Sequence, residues 1–155
     1  MNSTTNKHAT RIALFAGSFD PFTRGHKDIV DRALATVADK VVIAIGINCQ
    51  KNCMLTPEER AKAITAVYQD EPRVSIHTYT GLTTDYAQQI GADFLLRGVR
   101  SIKDFEYERD IADVNRQLTG IETIIIFSDP TLASVSSSIV RELISYNKDV
   151  TKYLP

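Results

Sequence analysis

The sequence predicts an α/β fold, a doubly wound domain built on a five-stranded parallel sheet, on three observations. Five short apolar runs punctuate the 155 residues. Four of them are continuous rather than alternating, as strands covered on both faces by helices tend to be. Each run is followed by residues at helical spacing, with start and stop signals at the helix ends.

Ile12–Ala16 is the first run. After it, Thr23 is placed to cap a helix whose apolar face is Ile29, Val30, Ala33, Leu34 and Val37. Val41–Ile47, rich in β-branched residues, is the second strand. Thr56-Pro57-Glu58-Glu59 then opens a helix with a capping box and proline at its first position. Arg73–Tyr79 alternates and reads as a strand nearer the sheet edge. Asp85–Ile90 is a short helix stopped by Gly91. Phe94–Leu96 is the fourth strand. Tyr107, Ile111, Val114 and Leu118 recur at helical spacing before Gly120 and predict a helix. Thr123–Phe127 is the fifth strand, and Ile139, Val140, Leu143 and Ile144 mark a final helix. Alternation of this kind gives helices on both faces of the sheet, a Rossmann-like arrangement. Residues 1–10 are expected to be a disordered polar tail, and 11–155 the domain.

Lys+Arg 18 against Asp+Glu 19 leaves a net charge of -1. A nucleic-acid binder needs a basic surface to displace counterions, so nucleic acid is not an expected partner. Cys49 and Cys53 are too few for a disulfide framework or a zinc site of their own, and reduced thiols are expected. The polar opening is not a signal peptide, and no apolar run approaches the roughly 20 residues that span a bilayer. A cytoplasmic protein with no membrane partner is expected.

Open parallel sheets bind ligands beyond the carboxyl ends of their strands. Four loops there carry anion-binding chemistry. The first is Gly17-Ser18-Phe19-Asp20-Pro21-Phe22-Thr23-Arg24-Gly25-His26. It turns sharply at Gly17 and delivers Gly25 and His26 into the first turn of a helix, where free N–H groups and the dipole attract anions. Its alternative is a tight turn with an incidental histidine; the spacing of Gly, Ser and Thr around His26 favours phosphate. The second loop offers Lys51. In the third, after the fourth strand, Arg97-Gly98-Val99-Arg100 closes a buried run, where an arginine needs an anion: a ligand, or an Asp or Glu of the chain itself. The last offers Ser134, Ser136, Ser137 and Ser138 ahead of a helix carrying Arg141 in its first turn or so. Together these loops would gather His26, Lys51, Arg97, Arg100 and Arg141 at one sheet edge. No Walker-type loop, serine nucleophile elbow or metal-binding histidine pair is present. Such a site suits two anionic substrates held together.

At these residues the sequence resembles the phosphopantetheine adenylyltransferases. The first loop is similar to the nucleotidyltransferase signature, which alone also admits cytidylyltransferases and nicotinamide-mononucleotide adenylyltransferases. Arg97-Gly98-Val99-Arg100 with Asp104-Phe105-Glu106-Tyr107-Glu108 and Asn115-Arg116 is similar to a stretch specific to the narrower family. So is Val135-Ser136-Ser137-Ser138-Ile139-Val140-Arg141, its closing nucleotide-binding motif. The resemblance implies transfer of the ATP adenylyl group to 4′-phosphopantetheine, giving dephospho-coenzyme A and pyrophosphate. It implies His26, Lys51 and Arg97 as catalytic residues, with Ser18, Lys51, Leu82, Thr83 and Arg97 binding the acceptor. ATP would meet Ser18, Phe19, His26, Gly98, Val99, Arg100, Glu108 and the run Leu132, Ala133, Ser134, Val135, Ser136, Ser137 and Ser138. Mg²⁺ as cofactor with no dedicated protein ligands, a homohexamer, and coenzyme A as feedback ligand are implied as well. Ser18 stands where threonine is common, keeping the hydroxyl, and Leu132-Ala133-Ser134 replaces aromatic residues. A relative with another acceptor, or a nucleotide-binding module without turnover, are the alternatives.

Overall fold

Alternate residues of Ile12–Gly17 (β1) point to opposite faces of the sheet, so the near-continuous apolar run feeds two separate cores. On one face, Ala13 and Phe15 join Val41, Ile43, Ile45, Phe94 and Leu96 beneath Ile29, Val30 and Ala33 of the first helix and Ile64 of the second. On the other, Leu14 and Ala16 join Val42, Ala44 and Leu95 beneath Ala87 of the third. The protein is described here from a computed structural model over residues 9–47 and 52–155. The expected tail lies almost wholly outside those residues, as do Cys49 and Lys51.

The chain continues through α1 (Arg24–Thr36), β2 (Lys40–Gly46), α2 (Pro57–Val67), β3 (Val74–Tyr79), α3 (Thr83–Ile90), β4 (Phe94–Val99), α4 (Ile102–Thr119), β5 (Glu122–Phe127) and α5 (Ser137–Ser145). All five strands are parallel, in the order β3-β2-β1-β4-β5. Strand order therefore reverses between β1 and β4, and the cleft beyond their carboxyl ends is where ligands of such sheets bind. β3 is an edge strand, as its alternating pattern predicts. Thr56 and Glu59 form the predicted capping box, and Gly91 and Gly120 end α3 and α4 at φ 67° and 74°, values that favour glycine.

One expectation is corrected. β4 does not stop at Leu96: Arg97 and Gly98 lie inside it, registered with Ile125 and Ile126 of β5. Gly98 permits this, because a Cβ there would sit 2.8 Å from Ile29 Cγ1 on α1. α4 forms as expected, and its apolar line does not turn to the core. Tyr107, Ile111, Val114 and Leu118 remain 41–64 % exposed. The more covered line of that helix is Asp104, Glu108, Ala112, Asn115 and Thr119, spaced three or four apart, with Glu108 its one buried residue. Small and polar side chains cannot fill the space against the sheet, and a cavity remains there.

Candidate active site

Two adjoining cavities occupy the cleft. The larger, about 690 Å³, runs between α4 and the sheet, walled by Tyr79, Leu82, Thr83, Ile111, Asn115 and Leu118 among others. The smaller, about 420 Å³, lies over the start of α1 and is lined by Phe19, His26, Gly98, Arg100, Arg141 and the run Val135–Ser138. They share Ala16, Gly17, Ser18, Arg97 and Glu108. A ligand in each would meet across the end of β1.

The first loop is held by backbone-directed bonds. Asp20, 3 % exposed, accepts the N–H groups of Met54 and Leu55 at 2.7 and 2.8 Å. Arg60 donates to the Ser18 carbonyl at 2.6 Å, Arg141 to that of Asp20 at 2.7 Å, and the Ser137 hydroxyl to that of Pro21 at 2.8 Å. α2 and α5 thus pin the turn from two sides. Phe19 adopts φ 48°, unusual for a residue with a side chain, and is kept there by its buried ring.

His26 occupies the third position of α1 and completes its capping box. Thr23 accepts the His26 N–H, and the Thr23 N–H donates to His26 Nδ1 at 3.0 Å. An Nδ1 that accepts carries no proton, so the neutral ring bears its proton on Nε2 and can donate from there. Burial, with the charges of Arg100 and Arg97 adding to it, lowers the His26 pKa to about 4. His26 is therefore a neutral donor at physiological pH rather than one of the cations of the site.

The sequence leaves the partner of Arg97 open; the structure gives it as Glu108. Nε and Nη2 fork onto both carboxylate oxygens at 2.8 and 2.7 Å, and Nη1 reaches the Ala16 carbonyl at 2.6 Å. Arg100 is braced by Asp104 at 3.1 Å and Arg141 by Ser138 at 3.2 Å. Each arginine is pre-positioned by a protein partner, with further N–H groups left for a ligand.

His26, Arg97, Arg100 and Arg141 are brought together as the sequence predicts, and Lys51 lies outside the described residues. Ser18, Arg97 and Glu108 face both cavities; Leu82 and Thr83 face the larger; Phe19, Gly98 and Val135 to Ser138 face the smaller. Val99, Leu132, Ala133 and Ser134 line neither. Val99 is buried in β4, where its carbonyl accepts the Ser128 N–H at 2.8 Å. Leu132 ends a 3₁₀ turn, Pro130–Leu132, outside the cavity walls. Asn115, Tyr79 and Ser128 join the walls without having been singled out as ligand-binding. Asn115 had a signal: with Glu108 it interrupts the apolar pattern of α4 one heptad apart.

Among the described residues, Mg²⁺ as a resident ion finds no ligand set. Glu108 spends both oxygens on Arg97, and Asp104 spends Oδ2 on Arg100. Among the described residues no group of three His, Cys, Asp or Glu side chains converges. A metal ion arriving with nucleotide phosphates would be part of the substrate.

A family model described as "Cytidylyltransferase-like" matches residues 14–143. The chain is 52 % identical over 145 residues to a phosphopantetheine adenylyltransferase of Bacteroides thetaiotaomicron, covering 94 % of this chain and 95 % of that one. It is 54 % identical over 144 residues to one of Porphyromonas gingivalis, covering 93 % and 94 %. In fold it is similar to a solved bifunctional NMN adenylyltransferase/ADP ribose pyrophosphatase of Francisella tularensis, complexed with AMP and Mn ion. That likeness has a TM-score of 0.69 at 15 % identity, over 94 % of this chain and 44 % of the other.

Proposed function

The chain belongs to the phosphopantetheine adenylyltransferases, within the cytidylyltransferase-like family, and is a nucleotidyltransferase; from that premise we propose that it joins the adenylyl group of ATP to 4′-phosphopantetheine. The observation that carries this reading is the pair of cavities sharing Ser18, Arg97 and Glu108. ATP takes the smaller one, with its phosphates toward the start of α1 and the serine run. The acceptor takes the larger, its apolar arm along the exposed stripe of α4 and its phosphate at the shared wall, with Leu82 and Thr83 alongside.

The acceptor phosphate oxygen attacks the α-phosphorus in line as the bond to pyrophosphate breaks, with no covalent bond to the protein. Two anions approach each other, so alignment and charge neutralisation supply most of the catalysis. Arg97 and Arg100 offset charge from fixed positions, and Lys51 holds the acceptor phosphate. His26 donates Nε2–H to the α-phosphate oxygen as negative charge builds on it, and needs no proton exchange to do so. Backbone N–H groups at the start of α1 and α5 add to the same field. Mg²⁺ held by ATP, a homohexameric assembly, feedback by coenzyme A and a cytoplasmic setting belong to the same proposal, as family membership implies them.

Pyrophosphate release tests the reading. It is expected with ATP and 4′-phosphopantetheine together, and not with ATP alone or with nicotinamide mononucleotide as acceptor. Release with the mononucleotide in preference would move the chain to another acceptor. Binding of ATP without release under any acceptor would leave a nucleotide-binding module.

A further inference from the structure

Three phenylalanines enclose the His26 ring. Phe19 meets it edge-on, centroids 5.1 Å apart at 90°, and Phe15 approaches at 6.1 Å and 60°. Phe22 alone stacks on it, at 5.3 Å and 30°. Phe22 is 5 % exposed and lines neither cavity. It also meets Tyr68 at the end of α2 edge-on, at 6.2 Å and 75°. Tyr68 is buried, its hydroxyl has no hydrogen-bond partner among the described residues, and Lys27 Nζ lies over its ring at 5.9 Å. Phe22 thus packs between His26 on α1 and Tyr68 at the end of α2, and it reaches the cavity wall through His26, on which it stacks, and through Phe19, which it meets edge-on at 5.5 Å.

We propose that Phe22 is a positioning residue, whose stacked ring holds the His26 imidazole in the one orientation that gives Nδ1 to the Thr23 N–H and leaves Nε2–H for the nucleotide. The proposal rests on the role given to His26 above. The Thr23 contact fixes one ring atom only, and an imidazole so anchored still rocks about it. A flat apolar neighbour restricts that rocking and excludes water from the ring. Such control counts in catalysis, because a donor a fraction of an ångström out of line stabilises the developing charge poorly. Desolvation is the largest cause of the depressed His26 pKa, in keeping with a ring packed among phenylalanines. The charged groups that line the same cavity as His26 are Arg97, Arg100, Arg141, Asp104 and Glu108, and Lys27, next in sequence, pairs with Asp31. None of them would be altered by a change at position 22.

The test replaces Phe22 by Leu, which keeps apolar bulk and removes the ring, and by Tyr, which restores the ring. Imidazole ¹⁵N spectra of His26 are followed against pH, together with kcat and the KM for ATP. In Phe22→Leu the two ring nitrogens are expected to move toward a tautomer average, and the His26 midpoint to rise from about 4 toward 6.5. At neutral pH kcat should fall about tenfold with the KM for ATP within about twofold. Phe22→Tyr should recover spectrum and rate. If Phe22→Leu does not fold, Phe22→Met is read in its place by the same measures. An unchanged His26 spectrum in the ringless variant overturns the positioning role and leaves the proposed reaction standing. A changed spectrum with full kcat overturns the role given to His26, and this inference with it.

Discussion

Arg97 and Glu108, eleven residues apart, face each other side on, with two parallel hydrogen bonds of 2.8 and 2.7 Å between them. Glu108 lies on α4 and Arg97 on β4, so the pair ties helix to sheet at the wall common to both cavities. The Glu108 side chain is 9 % exposed and that of Arg97 36 %. A pair this covered costs most when one partner is removed and the other is left without compensation.

Glu108→Gln is therefore expected to lower stability by about 1–3 kcal/mol in urea unfolding, since one charge-assisted bond is lost and an amide N–H is turned on the guanidinium. Arg97 lines both cavities, so the KM values for both substrates should rise together. A rise confined to one substrate would show that the pair serves that side alone.

His26→Ala should reduce kcat about 10²-fold or more, the scale of losing one transition-state hydrogen-bond donor, with a much smaller change in ATP binding. Isothermal titration with ATP beside steady-state kinetics separates the two effects. Equal losses in both would place His26 in ground-state binding.

Acid should destabilise the fold through the same ring. Its folded pKa of about 4 lies below the ordinary 6.5. Between those values the unfolded chain binds a proton that the folded chain refuses. Stability from this source is therefore full above pH 6.5, declines as pH falls toward 4, and amounts to at most about 3 kcal/mol. Urea unfolding of the native chain and of His26→Gln across pH 4–7 should converge as pH falls.

Gly98→Ala puts a methyl group 2.8 Å from Ile29 Cγ1. Overpacking of this kind costs about 1–3 kcal/mol. Adding Ile29→Val to Gly98→Ala should recover part of the loss, although Ile29→Val alone destabilises. Thermal unfolding of the four proteins in that cycle measures the coupling, and simple additivity would mean that α1 and β4 yield elsewhere.

The strands were legible because apolar runs mark a sheet buried on both faces, and the helix ends because Thr23, Thr56, Gly91 and Gly120 have local reasons to sit where they do. The convergence of His26, Arg97, Arg100 and Arg141 followed from the carboxyl-end rule once the strands were placed. Other features depend on tertiary partners. That Arg97 would continue β4 depends on the close approach of Ile29 to Gly98, and its anion lies on the next helix. The exposed stripe of α4 has the period of a core face. Only the polar line of Asp104, Glu108 and Asn115 beside it shows which side turns inward. The neutrality of His26 depends on burial and on the charges of Arg100 and Arg97, which come to it only in the folded chain.

The partition between the two cavities is little more than the end of one strand, Ala16 to Ser18, with an ion pair beside it. A single molecule with a head for each chamber would cross that partition without detour and lose its freedom of motion once rather than twice. It should bind far more tightly than either head alone, by the effective concentration that a short tether imposes.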